Sequence, residues 1–298
     1  MTENSRNKIF IVAGATGSVG RVVAATLEGL GHQVRPVARS LGMPFERREK
    51  LDQVFSGAHG AYLMIPFDFA APDLHRREDE IGSALAEAVA ASGVPRVVLL
   101  SGLSAHLSEN TVGSAKGAAM MEQRLNAMNI AELVHLRATF FMENLLQGVP
   151  RMAQSGSFAS AFSGDKPMPM IAAQDVGVRA AETLVAAEVG PRVQELHGAR
   201  DYTMTKAVGI LGASVGLPNA RYIQLSYEEG RAGMISAGVS SSFADAVMVT
   251  ARGFNEGRVW AREARSPRNT TETTLEMFAA ETFAPAYRAA EQALTRRV

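Results

Sequence analysis

Two spacings of apolar residues alternate along the first half of the chain. Short apolar runs suit strands buried on both faces, and longer stretches with apolar residues every three or four positions suit helices. The predicted strands are Ile9 to Ala13, Gln33 to Ala38, Ala61 to Ile65, Arg96 to Leu100 and Ala131 to Leu136. The predicted helices between them include Glu46 to Phe55, Asp73 to Ser92 and Ala115 to Asn129. This alternation predicts an α/β fold with a doubly wound parallel sheet.

The pattern becomes irregular beyond Gln147. Gly156 to Pro169 is rich in Gly, Ser and Pro and predicts a loop with a short strand, whereas Ala173 to Ala187 has the spacing of a helix. We therefore expect two domains. One occupies residues 1–150 and the other, a smaller mixed C-terminal lobe, occupies residues 151–298, with the helix at 173–187 packing back on the first.

A glycine-rich turn, Gly14 to Gly20, follows the first predicted strand directly. The helix after it has an apolar face marked by Val22, Val23, Thr26, Leu27 and Leu30. Glycines at this spacing permit a tight turn, a close ligand and close packing of helix on strand. The N–H groups at the helix start then point at a pyrophosphate. Strand, turn and helix in this order predict a Rossmann dinucleotide-binding domain, with the coenzyme bound by Gly14, Thr16, Gly17, Ser18 and Val19.

The second predicted strand ends in Arg39-Ser40. An NAD-binding unit usually has an acidic residue here to hold the ribose 2′-hydroxyl, whereas a basic residue suits a 2′-phosphate. Arg39 and Ser40 therefore predict binding of NADP(H) in preference to NAD(H). The alternative is that Arg39 is an ordinary solvated arginine.

Ligands of doubly wound sheets bind over the carboxyl ends of the strands. The remaining predicted strand ends add four residues to the coenzyme site, which are Pro66, Ser101, Gly102 and Thr139. The residues that we assign to the substrate pocket are Phe67, Phe140, Phe141 and Asn144. For the aromatic pair at Phe140, a place in the core is the alternative.

Composition excludes several classes of function. The 298 residues include 30 basic and 30 acidic side chains, so no basic excess favours nucleic acid or an anionic membrane. Cysteine is absent, which excludes disulfides, thiolate metal sites and a cysteine nucleophile. The six histidines show no metal-ligand spacing, and no metal is expected. The N-terminus lacks the apolar core of a signal peptide, and no apolar run approaches the ~20 residues of a membrane helix, so we expect a cytoplasmic protein.

Two catalytic motifs occur where their structural context is wrong. Tyr202 and Lys206 have the Tyr-x-x-x-Lys spacing, but they lie after the sheet should be complete, and Thr203 or Thr205 suits an N-cap. Gly212 to Gly216 spells G-x-S-x-G, but a helix and not a strand is predicted before it. We therefore expect neither motif to be catalytic.

Lys116 is the preferred catalytic candidate. It follows the strand Arg96 to Leu100 at a spacing that lets it reach the strand ends, and Val112 occupies the position of a partner tyrosine. Its expected role is to bind the nicotinamide ribose or a substrate oxygen, and the alternative is a solvated lysine. The pairs Arg47-Arg48 and Arg76-Arg77 are predicted to be solvated.

Several motifs together resemble the NmrA-like family of atypical short-chain dehydrogenases/reductases. They are the turn Gly14 to Gly20, Arg39, Lys116, the segment Leu136 to Asn144, Asp175-Val176 and the tail Asn269 to Phe278. The resemblance implies binding of NAD(P) and, for many members, reduction of quinones, azo compounds or other small electrophiles. Other members are redox sensors. The short stretch after Ser40 departs from the family, because relatives usually have a Gly-Asp pair beside the adenine there.

These observations lead to one hypothesis and two alternatives. The hypothesis is an NADPH-dependent reductase of small, fairly apolar acceptors, in which residues 151–298 form the substrate lobe and the cofactor supplies the chemistry. One alternative is a non-catalytic NADP(H) sensor that binds a protein partner. The other is an isomerase or epimerase that retains its cofactor. A homodimer is also compatible with the sequence.

Overall fold

A computed structural model describes residues 7–43, 45, 47–107 and 112–296, except for the side chain of Leu294. The predicted α/β class and the parallel sheet are confirmed. The strands are β1 (Ile9–Ala13), β2 (Gln33–Val37), β3 (Gly60–Leu63), β4 (Arg96–Gly102), β5 (Glu132–Ala138), β6 (Phe140–Phe141), β7 (Ser157–Ser160), β8 (Met168–Ile171), β9 (Val193–Leu196), β10 (Asp201–Tyr202) and β11 (Arg221–Gln224).

The helices are somewhat shorter than the sequence pattern suggested. They are α1 (Gly20–Gly29), α2 (Arg48–Phe55), α3 (Leu74–Ser92), α4 (Lys116–Asn126), α5 (Val149–Ser155), α6 (Ala173–Val185), α7 (Met204–Ser214), α8 (Tyr227–Ser236), α9 (Ser241–Asn255), α10 (Leu275–Phe278) and α11 (Ala284–Thr295). A π-helical turn, Ala279–Phe283, joins the last two.

The central sheet has six strands in the order β2-β1-β3-β4-β5-β9. Strands β1 to β5 pair in parallel, and register places Phe10 beside both Val34 and Gly60. Because each strand of a parallel pair needs a crossover, the intervening helices cover the sheet. All carboxyl ends of β1 to β5 therefore meet along one edge.

Alternate residues of each strand pack on opposite layers of helices. Ile11, Leu63 and Leu99 belong to a core formed with α2, α3 and α4. On the other face α1 packs against α6, where a Cβ at Gly177 would lie 2.5 Å from Cβ of Val22. The helix predicted at 173–187 is thus part of the sheet's second layer.

The ends of α3 show how local sequence sets helix length. Asp73 is the N-cap, because its carboxylate accepts a hydrogen bond of 3.0 Å from the N–H of Arg76. Gly93 ends the helix with a φ of +61°, a left-handed conformation that glycine adopts without strain.

One detail differs from the sequence pattern, and the others agree with it or lie outside the described residues. Leu30 was expected on the apolar face of α1, but it follows the last turn and is 46% exposed. Val22, Val23 and Leu27 are buried as predicted. Among the described residues no strand lies between β2 and α2, as the short stretch after Ser40 suggested. Glu46, the expected start of α2, lies outside the described residues.

The chain divides into two compact units. The first contains Met1–Ala138 and Ala173–Glu195, and the second contains Thr139–Ala172 and Leu196–Val298. The division falls after Ala138, whereas the sequence suggested residue 150, because the chain leaves the sheet at the end of β5. We call these parts the first unit and the second unit.

The second unit is built on two small sheets and its own core. One sheet has the order β10-β8-β6 and the other pairs β11 with β7. Its core includes Met142, Tyr202, Leu211 and Phe283. No helix within the described ranges is both long and apolar enough to span a bilayer.

Candidate coenzyme and substrate site

The glycine turn between β1 and α1 is tightly folded. Gly14 has a φ of +70°, and a Cβ there would lie 2.7 Å from the sulfur of Met64. Its N–H donates to the carbonyl of Val37 at 2.8 Å, and the N–H of Gly17 donates to the carbonyl of Gly14 at 2.8 Å. A side chain at Gly14 would therefore disturb both the turn and the neighbouring strands.

Gly20 brings the start of α1 against this turn. A Cβ at Gly20 would collide with the carbonyl oxygen of Gly14, so only glycine fits. The N-cap residue, Val19, provides no side-chain hydrogen bond. The N–H groups of Ser18, Val19 and Gly20 donate to no residue in the part of the chain that the structure describes. An open helix start of this kind suits the pyrophosphate of a dinucleotide.

The residues after β2 are held beside the turn. The hydroxyl of Ser40 hydrogen-bonds that of Thr16 at 3.0 Å. Arg39 is half-exposed, and its Nη1 lies 3.6 Å from Oδ2 of Asp68. The structure thus brings Thr16, Arg39 and Ser40 together at one edge of the sheet, where the sequence placed a 2′-phosphate site.

The segment after β3 contributes an exposed aromatic pair. Pro66 is half-buried, and Phe67 and Phe69 are 41% and 52% exposed. Their ring centroids are 6.4 Å apart. Phe67 was predicted for the substrate pocket, and its position after β3 also places it beside Asp68 and thus close to Arg39.

The end of β4 lies against the approach to α4. A Cβ at Gly102 would lie 2.9 Å from Cβ of Ala115, which immediately precedes Lys116. Lys116 is the first residue of α4 and is half-buried. Gly102 therefore permits the close packing that places Lys116 near the carboxyl end of β4.

Ser101 belongs to a buried network that sequence reasoning missed. Its hydroxyl donates to Oε1 of Glu122 at 2.6 Å. Arg137 donates to the same carboxylate through Nε at 2.9 Å and through Nη2 at 2.6 Å. The network joins α4 to the ends of β4 and β5, so it fixes the helix that begins at Lys116. Its one sequence signal was the charge of Arg137 directly after the predicted strand Ala131 to Leu136.

The charges of this network are well compensated. Burial alone would raise the pKa of Glu122, but the hydrogen bonds from Arg137 and Ser101 outweigh it and lower that pKa. Glu122 therefore stays ionised at neutral pH, and the Ser101 hydroxyl is oriented toward it. Coenzyme binding by Ser101 stays a prediction.

The residues predicted after β5 lie in the second unit. Thr139 is buried, and its Oγ1 has no hydrogen-bond partner within the described ranges. Phe140 and Phe141 form β6 and are half-buried, and Asn144 is exposed. The assignment of these four residues to the coenzyme and substrate site stays a prediction.

Phe140 is part of an aromatic cluster that the sequence did not reveal. Its ring makes edge contacts with Phe162 at 5.3 Å and Phe254 at 6.4 Å, and the latter two rings are 6.0 Å apart. All three rings are only half-buried. Such a cluster offers an apolar surface on which a planar ligand can pack.

The two rejected motifs have structural roles, as predicted. Tyr202 is fully buried, and its hydroxyl accepts hydrogen bonds from the N–H of Leu275 at 2.9 Å and from Nε of Arg200 at 3.0 Å. Thr203 is the N-cap of α7, with the N–H of Lys206 donating to its hydroxyl. The G-x-S-x-G segment ends this helix, so it forms no nucleophile elbow.

A metal centre finds no support in the described ranges, where no group of three or more His, Asp or Glu side chains could hold an ion. His135 is buried in β5, and its Nε2 is 3.1 Å from Oδ1 of Asn126. Burial lowers the pKa of His135, which keeps the ring neutral.

A protein-family model described as the NmrA-like family matches residues 41–257. The chain belongs to this family. The match begins after the glycine turn and after Arg39. These residues therefore indicate coenzyme binding independently of the family match. The resemblance inferred from the sequence is confirmed.

Known proteins similar to this chain include two reductases. The NAD(P)H azoreductase of Xenophilus azovorans is 22% identical over 246 residues, covering 80% of this chain and 85% of that protein. A (4-alkanoyl-5-oxo-2,5-dihydrofuran-3-yl)methyl phosphate reductase of Streptomyces griseus is 25% identical over 244 residues. The match covers 76% of this chain and 81% of that protein.

Among solved structures, an NADPH-dependent quinone oxidoreductase of Escherichia coli in complex with NADPH superposes with a TM-score of 0.74. The two chains are 22% identical, and the superposition covers 92% of this chain and 99% of the other. At this identity the likeness establishes the fold. It confirms the predicted Rossmann-type architecture.

Proposed function

We propose that this protein is an NADPH-dependent reductase of small, apolar acceptors such as quinones or azo compounds. The observation that supports it most is the open start of α1 over the glycine turn, with Arg39 and Ser40 beside it. The azoreductase and quinone oxidoreductase among the similar proteins support the same reaction class.

Three parts of the proposed coenzyme have a matching group in the first unit. The N–H groups of Ser18 to Gly20 bind the pyrophosphate, and the positive end of the α1 dipole favours its charge. Arg39 and Ser40 bind the 2′-phosphate, which makes NADPH preferred over NADH. Lys116 binds the nicotinamide ribose or an acceptor oxygen.

The bound nicotinamide would supply a hydride to the acceptor. The half-exposed cluster of Phe140, Phe162 and Phe254 suits a planar, apolar acceptor. The hydroxyl of Tyr202 is buried and accepts a hydrogen bond from the N–H of Leu275, so the Tyr-x-x-x-Lys motif supplies no proton donor. The reduction of acceptors that take their proton from water therefore fits this site better than the oxidation of alcohols does.

A steady-state assay of NADPH oxidation with a panel of quinones and azo dyes tests the proposal. We expect turnover with at least one of them, and a Lys116→Ala variant that is slower than Lys116→Arg, since the latter keeps the charge. Binding of NADPH without turnover of any acceptor would contradict the reductase. A pull-down with and without NADPH would then test the sensor alternative.

A second assay tests the coenzyme preference. Arg39→Ala should weaken NADPH binding by about tenfold or more and leave NADH binding unchanged, because only the 2′-phosphate meets the guanidinium. An equal effect on both coenzymes would contradict the assignment of Arg39.

A further inference from the structure

Arg77 does not lie where the sequence suggested. Arg76-Arg77 was predicted to be a solvated pair, but the side chain of Arg76 is 73% exposed and that of Arg77 only 26%. The prediction is correct for Arg76 and wrong for Arg77. Because successive residues of a helix point about 100° apart, Arg77 turns from solvent toward the segment after β3.

Two arginines converge on one carboxylate oxygen. Nη1 of Arg39 lies 3.6 Å from Oδ2 of Asp68, and Nε of Arg77 lies 3.9 Å from the same atom. The other oxygen of Asp68 accepts a hydrogen bond of 3.2 Å from the N–H of Ala70, which orients the carboxylate. Glu80 lies 3.5 Å from Nη1 of Arg77 and holds the far side of that guanidinium.

The contacts to Asp68 are loose compared with a structural ion pair. Arg137 and Glu122 approach to 2.6 Å and are buried, whereas both distances to Asp68 exceed hydrogen-bond length. Arg39 is 49% exposed. The Arg39–Asp68 pair is partly exposed and longer than a hydrogen bond, so it contributes little stability, and another anion can replace Asp68 beside Arg39 at small cost.

A phosphate monoester is the anion best suited to this position. It carries up to two negative charges and three acceptor oxygens, and two guanidinium groups can bind it through charge-assisted hydrogen bonds. Ser40 stands next to Arg39 and is tied to the coenzyme turn through Thr16. The two arginines therefore converge where the 2′-phosphate of a dinucleotide bound to that turn would lie.

We propose that Arg77 is a second ligand of the 2′-phosphate and that Asp68 is an internal competitor that this phosphate displaces. The proposal rests on the coenzyme binding proposed above and adds two specificity-determining residues to it. With NADH no phosphate is present, and Asp68 stays between the arginines. Asp68 thereby limits the preference for NADPH that Arg39 and Arg77 create.

Fluorescence titration with NADPH and with NADH tests the proposal. Asp68→Asn should lower the Kd for NADPH about two- to fivefold, since it removes a weak competing pair, and leave that for NADH unchanged. Arg77→Ala should raise the Kd for NADPH by about fivefold or more, again without an effect on NADH. Arg76→Ala is the matched control and should alter neither, because Arg76 points into solvent.

The outcomes separate this inference from the proposed function. An unchanged ratio of the two dissociation constants in both variants, with NADPH binding intact, would overturn the roles of Asp68 and Arg77 alone. Weaker NADPH binding in Asp68→Asn would overturn the role of Asp68 as a competitor, because Asp68 would then be a support for Arg39. Should Arg77→Ala misfold and lose NADH binding as well, the dissociation constant of Asp68→Asn for NADPH alone decides whether the proposal stands. Failure of the wild type to bind either coenzyme would instead overturn the proposed function.

Discussion

Helix α1 of the first unit and four helices of the second unit begin in different ways. In the second unit, four helices begin at a residue whose hydroxyl accepts a hydrogen bond from the first turn. These residues are Thr203, Ser226, Ser240 and Thr274. In the first unit, α1 begins at Val19, which provides no such bond, whereas α3 begins at Asp73, whose carboxylate caps it. A side chain of the protein closes a capped start, whereas an uncapped start leaves its N–H groups to a ligand or to water.

The same contrast appears in what holds two of these helix starts. The glycine turn before α1 depends on backbone shape, because Gly14 and Gly20 have no room for a Cβ. The start of α10 depends on a side chain as well, because the hydroxyl of Tyr202 accepts a hydrogen bond from the N–H of Leu275. The comparison teaches that the glycine turn should be sensitive to added atoms and the start of α10 to a lost hydrogen bond.

The largest effect is expected from Gly20→Ala in the first unit. The new Cβ collides with the carbonyl of Gly14, so the start of α1 must move. We expect a loss of about 3 kcal/mol in the free energy of unfolding and coenzyme binding about 10- to 100-fold weaker. Denaturant unfolding and coenzyme titration measure the two effects.

Gly29→Ala is the matched control on the same helix. No atom lies within 4 Å of a Cβ there, so this variant should be as stable as the wild type or slightly more so. Equal stability and equal coenzyme affinity of the Gly20 and Gly29 variants would contradict the close packing of the turn.

The next largest effect is expected from Glu122→Gln, which leaves Arg137 without its buried counter-charge. We expect a loss of about 3 kcal/mol at neutral pH. The pKa of Glu122 is lowered in the folded state, so its stabilisation is complete above its unfolded pKa and is lost as pH falls through its folded pKa. Unfolding measured across this acidic range should show less pH dependence in the variant.

Glu87→Gln is the control for this prediction, since its partner, Arg48, is exposed and the pair is on the surface. It should change stability by about 0.5 kcal/mol or less. If the two variants lose the same stability, the buried network does not hold α4 in the way described.

A smaller effect is expected from Tyr202→Phe in the second unit. The change leaves the N–H of Leu275 without its acceptor and should cost about 1–2 kcal/mol. Coenzyme affinity and kcat should stay at wild-type values, as they should in Lys206→Ala. A large fall in kcat in either variant, with coenzyme affinity retained, would indicate that the Tyr-x-x-x-Lys motif is catalytic.

The smallest effect is expected from Ser226→Ala. This serine forms a capping box with Glu229 at the start of α8. Its loss should cost about 1 kcal/mol and leave coenzyme binding unchanged, since no ligand is proposed at this helix. Weaker NADPH binding in this variant would contradict the distinction between helix starts that a side chain closes and the open start of α1.

Sequence periodicity was sufficient for β1 to β5 and the helices between them, because each is a local pattern, but it did not assign β9 to this sheet. The glycine turn, Arg39 and Lys116 were also visible, since each directly follows a predicted strand or precedes a helix. Leu30 was misjudged because the apolar spacing continues one turn beyond the core. In the second unit, order came from contacts between distant segments, which periodicity does not encode.

The structure also shows contacts in the candidate site that the sequence did not reveal. Arg77 and Asp68 meet because α3 turns one of two adjacent arginines inward. Glu122 and Arg137 meet only once α4 packs across β5. Phe162 and Phe254 come from a loop and a helix end that carry no local signal of an aromatic cluster. Such pairs depend on helix rotation and strand register, so one sequence alone does not reveal them.

Calorimetric titration of the wild-type protein with NADPH and with NADH tests the central claim most directly. Because the pyrophosphate site proposed at the start of α1 consists of backbone groups, both coenzymes should bind at one site per chain, and NADPH should bind more tightly. Folded protein that takes up neither coenzyme would contradict the account.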